Sequence, residues 1–454
     1  MREYEGNESL PFMKTQISNC ACGRVHRSSV QYCRIGRNVI QNLPEALAKL
    51  NCKKPYVICG PNAYEAAGKK VCSILDSNGI PYEIHVIRSQ GNEKLKPDEH
   101  TVGSALMHFP HDSDLILAVG SGVMNDVAKL LGAAVGKSCI IVATAPSMDG
   151  FASDGASMEV DGIKSSLREQ APSAILCDTA IMRNAPIRML HAGIGDMLAK
   201  YSALAGWKLA KLIVDEYYCE EVVGIMSGTL KKVIECEKDV VQRDEEAIER
   251  LAEGLVMSGV AMEYAGCSYP ASGQEHYFSH CWEMMKLERG EEYDLHGIQV
   301  GIGLLITLRI MERLKKEKPS IEKVAAAAKK FDSRRWEANI IRVFPKSSEQ
   351  LIDIEKKARK NTAKGRILRA EKIINNWDEV RKILDEVPSY QEVEKQMRET
   401  GIPTMPAEIG ITGQDVVDAF VCSRDIRNKY LLSSMIWDLG YMEEYSDWLS
   451  EVYS

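Results

Sequence analysis

Three of the nine histidines in this chain fall within 21 positions. His276 and His280 are four residues apart, so on a helix their side chains share one face. His296 follows 20 residues after His276, which leaves room for a helix, a turn and the start of another helix. Asp196 is a carboxylate in an apolar stretch and needs a partner, which a helix N-terminus or a metal ion would supply. One carboxylate and two imidazoles, all predicted near helix starts, suit a Zn, Ni, Fe or Co site with an open coordination position.

A glycine-rich loop follows a predicted buried strand. Gly120, Ser121 and Gly122 come directly after the apolar run 115–119 and before a predicted helix over 124–134. Glycines let backbone N–H groups approach a phosphate, and a helix N-terminus supplies partial positive charge. The loop departs from the dinucleotide fingerprint GxGxxG because Asn125 stands in place of the third glycine. On this pattern alone, a purely structural turn explains the glycines as well.

A second polar loop, residues 144–150, follows the next predicted strand, 139–142, with Ser153 just beyond. Ligands of open parallel sheets bind at the carboxyl ends of the strands, so its hydroxyls and Asp149 are candidates for ligand contacts. The alternative is a polar loop in which Asp149 caps a helix.

The thirteen cysteines are an odd number and are scattered, which favours reduced thiols over a disulfide framework. Cys20, Cys22, His26 and Cys33 are close in sequence and could hold zinc. Their spacing is not that of a standard finger. We therefore interpret them as free thiols on an N-terminal extension, residues 1–34.

The elements that must position these residues follow two patterns. Over 56–142, short apolar runs alternate with helical stretches, which predicts βαβ units and a parallel Rossmann-like sheet. From about residue 186, strand signals are scarce and helices are predicted over 194–210, 220–235, 245–264, 277–286 and 297–315, followed by a charged, solvated helical stretch over 315–360. We expect a dinucleotide-binding α/β domain at 35–185, an all-α metal- and substrate-binding domain at 186–454, and a ligand cleft between them.

Composition excludes several classes of protein. The 454 residues carry 57 Lys and Arg against 64 Asp and Glu, a net charge of −7, which gives no reason to expect nucleic-acid binding. The longest apolar stretch, 300–308, is too short to span a bilayer, which needs about 20 residues. The N-terminus has no apolar signal-peptide core, so we expect a cytoplasmic protein.

Five segments together carry a family resemblance: GSGVMND, TAPSMDGFAS, GIGDMLAK, ASGQEHYFSHCWEM and LHGIQVG. In combination they resemble the bacterial branch of the sn-glycerol-1-phosphate dehydrogenases, within the iron-containing alcohol dehydrogenase and dehydroquinate synthase-like group. The resemblance covers about 35–315, and GITGQDVVDAF and SRDIRNKY are similar to the family's C-terminal end. It implies a metal-dependent NAD(P)-linked oxidoreductase that interconverts dihydroxyacetone phosphate and sn-glycerol 1-phosphate, and a homo-oligomer, with a dimer favoured.

The resemblance also implies roles for individual residues. Asp196, His276 and His296 match the ligands of one divalent ion (Ni, Zn or Fe). Asp149 and His280 match substrate-contacting positions, and Asp196 would touch substrate as well as metal, so these three are the predicted catalytic residues. The residues expected to contact NAD or NADP are Gly120, Ser121, Gly122, Val123, Met124, Thr144, Ala145, Pro146, Ser147 and Ser153.

One departure from the family pattern concerns the coenzyme. After the first predicted strand, bacterial relatives tend to carry an aspartate that binds the adenosine ribose, whereas this chain has Gly60, Pro61 and Asn62. Without an acid there, rejection of a 2′-phosphate is weaker, so we expect both NADH and NADPH to be used. Lys164 and Arg168 are candidates for the substrate phosphate.

Two other enzyme classes stay open at this point, and so does a non-catalytic metal- or nucleotide-binding regulator. One is another polyol or alcohol dehydrogenase of the same group. The other is a dehydroquinate synthase-like lyase, for which a glutamate would be expected in place of Asp196.

Overall fold

The computed structural model describes residues 14–89, 94–161 and 163–454. The chain forms two compact units. The first comprises Met1–Met197 and Cys219–Ser268, and the second comprises Leu198–Tyr218 and Tyr269–Ser454. These units are defined by their packing and not by their function, so the functional domains expected at 1–34, 35–185 and 186–454 stay predictions.

The first unit contains a six-stranded sheet in the order β3-β10-β7-β6-β4-β5, in which every neighbouring pair is parallel. Two antiparallel pairs, β1 with β2 and β8 with β9, lie outside it. The strands are β1 Gln16–Ile17, β2 His26–Arg27, β3 Tyr32–Gly36, β4 Pro55–Cys59, β5 Glu83–Val86, β6 Leu115–Gly120, β7 Cys139–Ala143, β8 Gly155–Val160, β9 Ile163–Arg168 and β10 Ala174–Asp178.

Four of these strands, β4 to β7, confirm the strands predicted from the sequence. Every residue of β4, β6 and β7 is buried, as expected for parallel strands covered on both faces. The sequence prediction missed β3, β10 and the β8–β9 hairpin. The hairpin is half-exposed and polar, with Lys164, Ser165 and Ser166 in succession, so it carries no apolar run.

Helices connect and cover the strands of the first unit. They are α1 Leu43–Lys49, α2 Pro61–Ala63, α3 Lys69–Ser77, α4 Glu99–Met107, α5 Gly122–Val135, α6 Thr179–Met182, α7 Ile187–Leu198, α9 Glu220–Ile234, α10 Glu237–Val241 and α11 Glu245–Ala265. A single π-helical turn, Tyr64–Gly68, joins α2 to α3.

The described part of the second unit is helical. Its α-helices are α8 Lys200–Val214, α12 Gln274–Arg289, α13 His296–Leu314, α14 Ile321–Lys330, α15 Ser333–Val343, α16 Ser348–Ala358, α17 Ala363–Asn375, α18 Trp377–Asp385, α19 Tyr390–Glu399, α20 Gly413–Cys422, α21 Leu432–Leu439 and α22 Met442–Tyr453. The parallel α/β sheet followed by helices confirms the predicted fold class.

Two predicted helical stretches are divided in the structure. The single helix predicted over 194–210 is wrong, because α7 ends at Leu198 and α8 begins at Lys200. The charged stretch after Lys315 forms α14, α15 and α16, which bury only a few side chains, among them Val324 and Ile340. Among the described residues, no helix combines the length and the apolar character needed to cross a membrane.

Candidate active site

The glycine loop lies where the order of the parallel strands reverses. From β4 the chain moves to β5 on one side and then to β6 on the other, so a crevice is expected beyond the carboxyl ends of β4 and β6. Gly120 is the last residue of β6, and α5 begins two residues later at Gly122. A Cβ on Gly120 would lie 2.5 Å from Met124 Cγ, so the tight turn excludes a side chain.

The N-terminus of α5 is not capped by a side chain. Ser121 occupies the N-cap position, but its hydroxyl lies 2.6 Å from Ser147 Oγ instead of bonding to the helix backbone. The first turn also lacks an acidic residue. The first N–H groups of a helix have no intrahelical acceptor. This loop therefore suits an anion such as a pyrophosphate.

The loop after β7 lies beside the glycine loop. Thr144 donates its backbone N–H to the Gly120 carbonyl at 3.0 Å, and Ser147 is buried. Ser153 is buried too, and its hydroxyl donates to the Gly150 carbonyl at 3.1 Å. The structure thus brings Ser147 next to the predicted phosphate loop, while Ser153 bonds within its own turn.

Lys129 organises this turn and was missed in the sequence. Its buried ammonium donates to the Gly150 carbonyl at 2.6 Å and to the Gly155 carbonyl at 2.9 Å. Burial lowers the pKa of Lys129, with Asp126 opposing that shift. Asn125, from the same helix, donates to Gly150 at 3.2 Å, and its buried Oδ1 has no partner among the described residues. A lysine inside the apolar α5 pattern was the available signal.

The backbone of Asp149 is hydrogen-bonded to the side chain of Asp196. The Asp149 N–H donates to Asp196 Oδ2 at 3.0 Å, and the Ser258 hydroxyl donates to Asp149 Oδ2 at 2.8 Å. Asp149 lies between β7 and β8 and precedes no helix, so its interpretation as a helix cap is wrong.

Asp196 lies in the last turn of α7, so its predicted place near a helix start is wrong. The helix begins directly after Pro186, and Gly193 and Gly195 continue it. Gly193 permits a close approach, because a Cβ there would lie 2.0 Å from the Pro146 carbonyl oxygen. A fully buried carboxylate at the negative end of a helix dipole is unfavourable without donors or a cation nearby.

Two of the three histidines of the second unit are oriented by carboxylates. His276, in the first turn of α12, donates Nδ1–H to Glu275 Oε1 at 3.0 Å. His296, the first residue of α13, donates Nδ1–H to Glu283 Oε1 at 2.9 Å. The ring centroids of His276 and His296 are 5.3 Å apart. With Nδ1 as the donor in both rings, Nε2 is the unprotonated nitrogen, and a carboxylate on the other nitrogen is the usual arrangement of a metal-binding histidine.

His280 is the third histidine of this cluster. Its ring centroid lies 5.4 Å from that of His296 and 6.4 Å from that of His276. Burial, followed by the positive charge of Arg427, lowers the pKa of His280 well below its ordinary value. Its Nδ1 is buried and has no hydrogen-bond partner among the described residues. A neutral imidazole whose Nδ1 has no hydrogen-bond partner among the described residues can transfer a proton or form a hydrogen bond to a ligand.

A second ligand set is possible within this cluster. One donor atom each from His280, Glu283 and His296 lie within 4.8 Å of one another. If the ion took these three, Glu283 would bind it directly instead of orienting His296.

Glu275 and Glu283 were missed in the sequence, although both flank the histidines that were found. Glu275 accepts hydrogen bonds from the Ser202 hydroxyl at 2.5 Å and from the Gly273 N–H. Burial opposes ionisation of Glu275, yet hydrogen bonds from His276 and Ser202 hold its pKa below the ordinary value. A carboxylate next to His276 in SGQEH was the available signal.

Of the candidates for the substrate phosphate, Arg168 donates to Asp154 at 2.7 Å. It lies with Lys164 on β9. The structure therefore gives Arg168 a partner and leaves the phosphate contacts unassigned.

Comparison with known proteins agrees with this architecture. Residues 34–186 match the family model described as iron-containing alcohol dehydrogenase. A probable glycerol dehydrogenase from Sinorhizobium meliloti has the same fold, with a TM-score of 0.60 at 17% identity, over 93% of this chain and 98% of that one.

Two curated relatives are more similar in sequence, and both carry the name glycerol-1-phosphate dehydrogenase [NAD(P)+]. The protein from Halalkalibacterium halodurans is 36% identical over 301 residues, which is 66% of this chain and 75% of the relative. That from Geobacillus thermodenitrificans is 31% identical, over 76% of this chain and 85% of the relative.

The curated relatives, together with the family-model match over residues 34–186, define a dehydrogenase of the iron-containing alcohol dehydrogenase type. Within that class, the chain belongs to the glycerol-1-phosphate dehydrogenase family.

Proposed function

We propose that this chain is a metal-dependent NAD(P)-linked oxidoreductase that interconverts dihydroxyacetone phosphate and sn-glycerol 1-phosphate. The observation that carries the proposal is the pair of carboxylate-held histidines: His276 and His296 each donate Nδ1–H to a glutamate, which is the usual support of a metal-binding histidine. The names of the curated relatives specify the substrate and the coenzyme.

The donor set fits a divalent transition metal. Asp196 offers a fully buried carboxylate, and His276 and His296 offer imidazoles that glutamates hold. One carboxylate and two imidazoles suit Ni²⁺, Zn²⁺ or Fe²⁺ and leave a position for substrate. We assign these three residues as the ligands.

The glycine loop fits the coenzyme pyrophosphate. Residues 120–124 offer the uncapped N-terminus of α5, and the loop 144–147 lies next to it through the Ser121–Ser147 contact. Ser153 completes the proposed set of coenzyme contacts.

When bound, the ion polarises the substrate oxygen as a Lewis acid and the nicotinamide carries the hydride. The protein residues have separate tasks. His280 is neutral at physiological pH, because its pKa is lowered, and we assign it to proton relay or to positioning of the substrate. Asp149 is fixed by Ser258 and contacts the substrate, and Asp196 contacts substrate as well as metal.

We further propose that the enzyme is a cytoplasmic homodimer. Thirteen free cysteines fit a reducing compartment. The competing function is that of another polyol or alcohol dehydrogenase of the group, since the solved structures with this fold include a probable glycerol dehydrogenase.

The test is coenzyme oxidation by chelator-treated enzyme after addition of Ni²⁺, Zn²⁺ or Fe²⁺. With NADH or NADPH, dihydroxyacetone phosphate should be reduced and unphosphorylated dihydroxyacetone should not. Chiral analysis should identify the product as sn-glycerol 1-phosphate. Preferential turnover of dihydroxyacetone, glycerol or a diol would replace this function with the competing one.

A further inference from the structure

The first unit contains a second set of metal-ligating side chains, distinct from the residues assigned above. Cys20 and Cys22 come from the N-terminal segment, His26 begins β2, and Cys219 directly precedes α9. Single donor atoms of these four residues lie within 4.8 Å of one another. We call this group the Cys₃His cluster. Sequence proximity had placed Cys33 in it, but Cys33 is buried in β3 and Cys219 takes the fourth position.

The distances within the cluster match those of a tetrahedral zinc site. Cys20 Sγ lies 3.4 Å from Cys219 Sγ, and His26 Nε2 lies 3.4 Å from Cys22 Sγ and 3.5 Å from Cys219 Sγ. With ordinary Zn–S and Zn–N bonds, tetrahedral angles place two sulfurs about 3.8 Å apart and a sulfur about 3.5 Å from a nitrogen. A disulfide would bring two sulfurs to about 2.0 Å, so the cluster does not have disulfide geometry.

The histidine of the cluster is held with the required nitrogen toward the sulfurs. His26 is fully buried and donates Nδ1–H to the Tyr264 carbonyl at 2.8 Å. That bond fixes the tautomer, so Nε2 carries the lone pair and faces Cys22 and Cys219. A backbone carbonyl on the second nitrogen is a common partner of metal-binding histidines.

The chain around the first two cysteines forms a tight turn that aims both sulfurs at one point. The Gly23 N–H donates to the Cys20 carbonyl at 3.0 Å, and Gly23 has a φ of +80°, which favours glycine. The Arg24 N–H lies 3.5 Å from Cys22 Sγ, within reach of a weak bond to a thiolate. The segment reads C-x-C-G-x-x-H, and a backbone N–H lies near the Cys22 sulfur.

We propose that Cys20, Cys22, His26 and Cys219 bind one structural zinc ion. Three thiolates and one imidazole fill all four tetrahedral positions, so no position is left for substrate, and closed sites of this kind are structural. The ion would join the N-terminal segment to the start of α9. The strands of this segment are only two residues each, and the ion would add to the bonds that already join the segment to α11, among them the Ser29 N–H to Glu263 at 2.9 Å.

Cobalt substitution separates this site from the catalytic one. Co²⁺ bound by thiolates has an intense ligand-to-metal charge-transfer absorption, which a site made of one aspartate and two histidines lacks. Full-length protein stripped of metal under reducing conditions and titrated with Co²⁺ should develop this band with the final intensity of one thiolate site per chain, and Zn²⁺ should abolish it. The expected band in Cys22→Ser and His26→Ala is at least several-fold weaker. Cys33→Ala, the matched control, should keep it.

A measurement on the parent protein avoids dependence on variants that fail to fold. A mercurial thiol reagent should release about one zinc per chain, detected with a chromogenic chelator, while the metal that supports activity is quantified separately. The proposal is overturned if the folded parent gives no thiolate–cobalt band and releases no zinc. It is also overturned if Cys22→Ser keeps the full band, or if freshly purified protein carries a Cys20–Cys219 disulfide by mass spectrometry.

Discussion

The contact between Glu283 and His296 gives the sharpest test of the proposed metal site. Glu283 accepts Nδ1–H from His296 at 2.9 Å and also accepts from Ser279 at 3.2 Å. Its side chain is almost fully buried. If His296 is a ligand, this carboxylate makes the ring a stronger donor and fixes its orientation without touching the ion.

The size of the effect follows from that arrangement. Loss of a carboxylate that supports a ligating histidine costs about 10- to 100-fold in metal affinity, or about 1.4 to 2.7 kcal/mol. Glu283→Gln keeps the shape and one acceptor oxygen, so we expect a loss near 10-fold. Glu283→Ala removes the acceptor and leaves the Ser279 hydroxyl, 3.0 Å from His296 Nδ1, as the remaining partner, so we expect a loss near 100-fold.

The assay is recovery of activity by chelator-treated enzyme in buffers of fixed free Ni²⁺ or Zn²⁺, which gives an apparent Kd for the catalytic ion alone. Glu288→Gln is the matched control, because Glu288 lies on the same helix but accepts from Lys346 and Ser347. It should leave the apparent Kd unchanged. Either of two results would refute the assignment of His296 as a ligand supported by Glu283. An unchanged Kd in Glu283→Ala would mean that His296 does not bind the ion, and a loss as complete as that in His296→Ala would make Glu283 itself a ligand.

Three further predictions concern the same active site. His276→Ala should remove most of the catalytic metal and most of the activity together, and retention of a full equivalent with a near-normal rate would show that His276 is not a ligand. His280→Ala should keep the metal content of the parent while kcat falls by about 10²-fold if the residue relays a proton; loss of the metal would make His280 a ligand and demote His296, and a rise confined to KM would mean positioning of substrate. NADH and NADPH should be used within about tenfold of each other, and Gly60→Asp should shift preference toward NADH through charge repulsion of the 2′-phosphate. A Cβ at Gly60 would lie 3.0 Å from Leu95 Cδ2, so Gly60→Ala is the control for crowding, and a parent that already strongly selects NADH would contradict this interpretation of the loop.

Local sequence patterns were sufficient for β4, β6 and β7, because each is an uninterrupted apolar run buried on both faces, and they also found the more exposed β5. They also placed His276 and His296 near helix starts, since α12 begins at Gln274 and α13 at His296. They failed for β3, in which Arg34 interrupts the apolar run, and for the polar β8–β9 hairpin. They failed as well for Asp196, because glycines were taken as a helix boundary although Gly193 lies inside α7 to let the β7 loop approach.

Residues that support others were harder to find than residues that carry the chemistry. A histidine pair four residues apart is visible in the sequence, whereas Glu283 acquires its role only through contact with His296, which is 13 residues away. Lys129 is visible in the sequence as a lysine in an apolar helix, but its partners, the carbonyls of Gly150 and Gly155, are known only from the structure. Residue spacing shows which side chains share one face of a helix, but it does not show which neighbouring element those side chains contact.

The Cys₃His cluster shows the same limit at a longer range. Three of its members lie within seven residues of one another, but the fourth, Cys219, is 199 residues from Cys20. Nearness in sequence favoured Cys33, which β3 carries into the sheet. A metal site with an incomplete set of local ligands is ambiguous in sequence, because the three local residues are equally compatible with free thiols. The fold removes that ambiguity by supplying the missing sulfur at the start of α9, and the backbone carbonyl of Tyr264 then fixes the imidazole toward it.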